Sequence, residues 1–413
     1  MDRRLRSAGR IALAAAALAG TGCGSSFKLP TEQTANRAAP SDKQYQMIAT
    51  WTGLTGVTDV LLIPGPQLYF AFKGRPGVVG RVFEFSTTLP LPLATDRFQG
   101  MIFVPPPRKS APGTSGAPIK LLHPAALAAN AQSVFVLDEG DTAAARAFRD
   151  PNWYELDCGQ IKGVNRTVVD LSQYWYVREY DLKGRTLKSA FTDTTFAWVN
   201  GVAADEDGKV YVSGVIEHCF VDPFDSRLRT LDNEYRIYRY ERGIDDRYVL
   251  GAEGADTLQL GVWGRDPSFE IAEGTGIGSS LDPRGLSWSA STGAALFFAD
   301  LGNNEVQKFD VLGSLGNSFK LDICDADTVA LVAPTDVAVD DGGNVYVVDT
   351  GNKRVLRFDP DGRRCAQRVD IEHNSFDQPL TGPVAAASGD FDATNYVYVV
   401  DAAVNQVVVY RRR

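Results

Sequence analysis

From residue 45 onward, apolar positions come in short runs that alternate with polar ones, and the runs stop at Gly, Asp and Asn. A period of two with frequent turn residues predicts short strands and tight turns, with almost no helix. The clearest unit is 334–363, PTDVAVDDGGNVYVVDTGNKRVLRFDPDGR. It opens with Pro334, and its turns (Asp340 to Asn344, Asp349 to Asn352, Asp359 to Gly362) hold residues that tolerate positive φ or bond their own backbone. The unit returns at 283–313 and 383–410, in broken form from Asn200 and from His123, and in its most divergent form at 56–85. One aromatic anchors the second strand of each copy: Tyr69, Phe135, Tyr211, Phe297, Tyr346 and Tyr398.

Six such units predict a ring. A single unit leaves both faces of its sheet open, whereas radial packing covers them and leaves only short edges. The last copy ends on its third strand at Val407 to Tyr410, so the strand-like run 45–52 is expected to supply the fourth and join the termini. The unit at 334–363 resembles the NHL repeat, whose four-stranded blades assemble into β-propellers. The resemblance implies an all-β fold, a six-bladed propeller of four-stranded antiparallel blades. Its expected blades are about 56–98, 120–193, 199–252, 283–323, 334–371 and 381–413, within a domain spanning 44–413.

The N-terminus reads differently. Arg3, Arg4, Arg6 and Arg10 precede the apolar run Ile11 to Ala19, too short to span a bilayer and suited to a secretion signal over 1–22. Ala19-Gly20-Thr21-Gly22-Cys23 resembles a bacterial lipobox, with Gly20 where Leu is preferred. The resemblance implies lipidation of Cys23, and Gly24 after it implies the outer membrane. Ordinary secretion is the alternative. Residues 23–43 are polar and aperiodic, a lipidated tether.

Charge supports an exported surface protein. The chain of 413 residues carries a net −9, and −12 once residues 1–22 are removed, which excludes general nucleic-acid binding. The expected protein is a monomer that meets the membrane only through its lipid. Only 3 His and 5 Cys remain for metal chemistry. Gly274 to Gly278 lacks the Gly-Lys-Ser/Thr of a phosphate loop and reads as a plain loop.

Long insertions interrupt the units at 88–118, 140–172, 214–234 and 251–282. They fall at inner-strand starts or second-to-third turns, which share one face of a propeller. The binding-face candidates are His123, Trp153, Tyr154, Asn200, His218, Phe220, Asp222 and Arg284. The rival reading is that the insertions only cap the ring. Asp222, Asp225, Asp232 and Glu234 lack EF-hand spacing and read as a solvated loop.

Propeller lyases akin to NHL proteins hold a metal through several His, and the regucalcin and paraoxonase type holds calcium through Glu, Asn and Asp. Here His123 stands at an inner-strand start, with His218 and His373 in expected loops. The matching starts are read as Asn200, Arg284 and Thr335, so the His pattern is missing, and only Asn200 suits calcium. No cofactor is therefore expected, with Ca2+ or Zn2+ in the channel as the alternative. Four exported Cys suit two disulfides: Cys158 with Cys219, across neighbouring insertions, and Cys324 with Cys365 by elimination. Free buried thiols are the alternative. The sequence favours a cell-envelope lipoprotein, not an enzyme, that binds a protein, peptide or glycan through the insertion-bearing face. The alternative is a propeller-type metal-dependent lyase, lactonase or other hydrolase at the central channel.

Overall fold

The computed structural model describes residues 45–63, 67–73, 80–86, 121, 123–139, 175–182, 187–193, 195–196, 198–221, 229–242, 263–291, 293–310, 319–320, 330–360, 367–369, 379–391 and 393–413. The expected signal peptide, Cys23 and the tether lie outside these residues, as do Trp153, Tyr154, Cys158, Asp222, Cys324, Cys365 and His373.

The fold is all-β and propeller-like. The first sheet joins β2 (Val57–Ile63), β3 (Gln67–Phe72) and β4 (Arg81–Ser86). The second joins β5 (Pro124–Ala129), β6 (Ser133–Asp138), β7 (Tyr176–Asp181) and β8 (Leu187–Phe191). The third holds β9 (Trp198–Ala204), β10 (Val210–Val221), β11 (Arg229–Arg242), β12 (Trp263–Glu273) and the short parallel β13 (Ser279–Ser280). The fourth holds β14 (Pro283–Ser289), β15 (Ala295–Asp300), β16 (Glu305–Asp310) and β17 (Phe319–Lys320). The fifth holds β18 (Pro334–Val339), β19 (Val345–Asp349), β20 (Arg354–Phe358) and β21 (Gln367–Arg368). The sixth holds β22 (Pro383–Phe391), β23 (Thr394–Asp401), β24 (Gln406–Arg412) and, from the other end of the chain, β1 (Tyr45–Thr52).

The inner strands close a ring. Each of β2, β5, β9, β14, β18 and β22 packs on the next, and β22 packs on β2. Antiparallel pairing of β1 with β24 (Tyr45 opposite Arg412, Thr52 opposite Gln406) fastens the ends. The core lies between sheets, in six apolar clusters that each bridge one adjacent pair. The six anchor aromatics sit in these layers, each at most 1% exposed. Burying side chains of this size contributes about 1.5–3 kcal/mol apiece.

One device recurs at the end of the second strand. Asp138, Asp300, Asp349 and Asp401 are wholly buried and accept backbone N–H bonds from the chain leading into the inner strand of the same sheet. The donors are His123 (2.8 Å), Leu281 (2.8 Å), Val332 (2.8 Å), and Thr381 and Gly382 (2.7 and 2.9 Å). A charged acceptor for orphan N–H groups fixes where each inner strand begins. In the third sheet Gly214 takes this place, and the Phe196 ring lies 2.7 Å from where its Cβ would stand.

Three expectations need correction. Of residues 214–234, read as an insertion, 214–221 and 229–234 prolong the paired strands β10 and β11, and His218 faces Asp232. His218, Cys219 and Phe220 therefore sit on a strand, with only their backbone described, opposite Asp232, Leu231 and Thr230. The third unit also extends past 252, since β12 pairs with β11 as its outer strand.

Candidate functional site

The inner strands surround a central cavity of about 310 Å³. Each inner strand opens with a residue in the proline-type position (Val57, Pro124, Val199, Pro283, Pro334, Pro383), near which the pairing register slips by one. The bulge turns the next residues toward the channel. They are Thr58, Ala125, Asn200, Arg284, Thr335 and Val384, followed by Asp59, Ala126, Gly285, Asp336 and Ala385, with Gly201 at the matching place in the third sheet.

Alternation around the ring is plain at this level. Sheets one, three and five carry polar side chains that bond forward to the next sheet. Thr58 Oγ1 donates to Pro124 O (2.8 Å), Asn200 Nδ2 to Asp282 Oδ1 (3.0 Å), and Thr335 Oγ1 to Val384 O (3.1 Å). Asp59 accepts from Leu127 N (2.6 Å) and Val60 N (2.7 Å), and Asp336 from Ala386 N (2.8 Å). Burial pushes the Asp59 carboxyl well above the usual range, and the nearby Asp336 charge adds to this. Burial likewise raises Asp336, to about 7. Gly285 fits against Asp336 with φ of +48°, where an added Cβ would lie 2.2 Å from Asp336 Cα.

At one mouth of the channel the chemistry changes. Lys73 and Glu139 follow the second strands of their sheets, and His123 and Asp282 precede β5 and β14. The backbone N–H of Glu139 donates to His123 O (3.0 Å), and Lys73 Nζ lies 3.8 Å from Glu139 Oε2. Arg284 holds Asp282 through Nε (3.2 Å) and Nη2 (3.0 Å). Burial raises the Glu139 carboxyl, against the pull of Lys73, His123 and Arg284. His123 Nδ1 is buried with no hydrogen-bond partner among the described residues.

The structure thus brings His123, Asn200 and Arg284 to one mouth, while His218 and Phe220 belong to the prolonged β10. It corrects the equivalence drawn for His123. Pro124 faces Asp138 as Pro283 faces Asp300 and Pro334 faces Asp349, so His123 matches Asp282 and Ala333, and Ala125 is level with Arg284 and Thr335. The sequence reading missed Lys73, Glu139, Asp59 and Asp336. The doublet Asp138-Glu139 held a signal for one of them, since the first Asp repeats at Asp300, Asp349 and Asp401 while the Glu does not.

Among the described residues no three His, Cys, Asp or Glu side chains group so as to hold a metal ion. Asp59 and Asp336 are taken by backbone N–H groups, and Asp282 by Arg284 and Asn200. These residues do not fit a resident channel metal.

The NHL repeat family model matches residues 331–358. No curated protein matches the chain. Among solved structures, a gluconolactonase from Xanthomonas campestris is similar at 13% identity and a TM-score of 0.43, covering 93% of this chain and 100% of its own. Virginiamycin B lyase from Staphylococcus aureus aligns at 11% identity and 0.40, covering 89% and 98%. A putative gluconolactonase aligns at 12% identity and 0.45, covering 91% and 93%. At these depths the likeness is one of fold.

Proposed function

We propose that the channel mouth is the active site of a propeller-type hydrolase or lyase acting on a small ligand. The observation that carries this reading is the buried Nδ1 of His123, which has no hydrogen-bond partner among the described residues, beside Glu139, whose carboxyl burial raises. Such a pair supplies both halves of acid–base catalysis. His123 takes a proton from water or from the substrate, and the Glu139 carboxyl returns one to the leaving oxygen. Asn200 and Arg284 orient the ligand at the rim. The test is proton release from a panel of lactones and carboxylic esters. Turnover lost in both His123→Gln and Glu139→Gln, at unchanged thermal stability, supports the reading. Turnover that survives both substitutions, or no turnover of any member by the native chain, refutes it.

A second reading is the docking of an envelope protein, peptide or glycan on the same face. It is favoured by Ile277, Val332 and Val404, which are 54%, 42% and 44% exposed, Ile277 between β12 and β13, Val332 ahead of β18 and Val404 between β23 and β24. Crosslinking in intact cells tests it, and recovery of uncrosslinked monomer alone counts against it. In either reading the ring is six four-stranded blades, its outer first-blade strand lying outside the described residues. The chain is exported and lipid-anchored through Cys23 at the outer membrane, with disulfides Cys158–Cys219 and Cys324–Cys365. Incorporation of labelled palmitate that Cys23→Ala abolishes tests the anchor. A mass change on reduction and alkylation tests the disulfides.

A further inference from the structure

We infer that the mouth takes a ligand bearing a carboxylate group, received by Lys73 and Arg284. This rests on the reading of the mouth as a small-ligand site and names the ligand's class. The acceptors in the channel are occupied: Asp59 and Asp336 by backbone N–H groups, Asp282 by Arg284 and Asn200. The cations are the exposed groups, Lys73 at 50% and Arg284 at 44% of their side chains.

Lys73 meets Glu139 only at 3.8 Å, a part-exposed pair worth about 0–1 kcal/mol, so a better-placed anion exchanges for it at little cost. Arg284 is held differently. Its two bonds to Asp282 fix the guanidinium plane at the rim, which sets up the remaining N–H groups for planar recognition. Burial also raises the channel carboxyls of Asp59 and Asp336 and that of Glu139. Each cation already holds a carboxylate, so an incoming carboxylate exchanges for Glu139 at Lys73 and uses the N–H groups of Arg284 that Asp282 leaves over. Hydrolysis of an ester or lactone leaves a carboxylate, so the same rim would retain the product of the proposed reaction.

The test is calorimetric titration of the full chain, at fixed ionic strength, with gluconate and galacturonate and with their uncharged counterparts glucose and methyl galacturonate. The acids should bind at least about tenfold tighter than the neutral pair, a gap of about 1.4 kcal/mol, and added salt should weaken them. Lys73→Gln and Arg284→Gln should each erase the preference, and Lys73→Arg should keep it. Equal binding of acid and neutral forms, or no binding of either acid, overturns the inference. The two readings separate cleanly. Turnover of neutral esters that needs His123, with a KM indifferent to Lys73→Gln, removes the carboxylate and leaves the active site. Acid binding that needs Lys73, with no turnover of any ester or lactone, removes the hydrolase and leaves the anion site.

Discussion

Alanine at Gly285 measures how tightly the fourth and fifth sheets meet in the channel wall. Gly285 has φ of +48°, and its missing Cβ would stand 2.2 Å from Asp336 Cα, 2.5 Å from Asp336 Oδ1 and 2.8 Å from Thr335 O. Two of these are backbone atoms, so no rotamer change relieves the contact. Gly293 supplies the control, with φ of +89° and nothing within 4 Å of its Cβ position. Left-handed strain applies to both substitutions at about 1–2 kcal/mol. Crowding applies only at 285 and adds about 1–3 kcal/mol. Gly285→Ala should therefore be about 2 kcal/mol less stable than Gly293→Ala, by urea denaturation followed through tryptophan fluorescence. In thermal melts the two should differ by roughly 4 °C or less, given about 2 °C per kcal/mol for a chain of this size. If Gly285→Ala is as stable as Gly293→Ala, the two inner strands do not approach as closely as described.

Stability should fall as pH rises from about 4 through 7 by the share that Asp336 carries. Its folded-state value, about 7, lies above the ordinary 3.8, so its contribution is full below the lower value and lost through the upper. Asp336→Asn should flatten that part of a pH series of melting temperatures, and an unchanged slope would refute the assignment. Asp349→Ala removes the acceptor for Val332 N, Asn352 Nδ2 (2.8 Å) and Arg354 Nε (2.7 Å), and should cost about 3–5 kcal/mol in chemical denaturation because a buried ion pair is broken. A loss under about 1 kcal/mol would show that the repeated clamp does not set the strand start. Hydrogen exchange should protect the amides of 45–52 as well as those of β24, and rapid exchange there would mean an open ring.

Much of the fold was legible because its signals are local. The turn residues of 334–360 and the aromatic anchors depend only on neighbours a few positions away, and both lie where the repeat places them. What stayed hidden depends on partners far along the chain. β12 carries Arg265, Asp266 and Pro267 in its middle, a poor strand pattern that is tolerable only on an outer strand, and its register slips opposite Tyr238 and Tyr240. The β10–β11 extension is continuous in register, but its length breaks the repeat, which made it resemble an insertion. The mouth was half visible. Asn200 and Arg284 stand at a repeat position and could be listed from it, whereas Lys73 and Glu139 sit in turns with no repeating partner. Asp59 and Asp336 look like ordinary polar positions of a strand, and only ring closure shows them as half-buried neighbours in the channel.

The pairing of β1 with β24 sets a clock for folding. Gln46 bonds Arg411 across 365 residues, so the strand made earliest waits for the strand made last. Loop-closure entropy grows only logarithmically, at about 0.6 kcal/mol per doubling, so distance costs the finished ring little. Time is the larger burden. At about 5–20 residues per second, synthesis leaves β1 without its partner for roughly 20–70 s. Throughout that interval Tyr45, Met47, Ala49 and Trp51, buried in the closed ring, form an apolar row on an unpaired strand. A chain stalled before β24 is thus a species with a sticky leading edge, and its fate rests on the holdases it meets before its own C-terminus arrives.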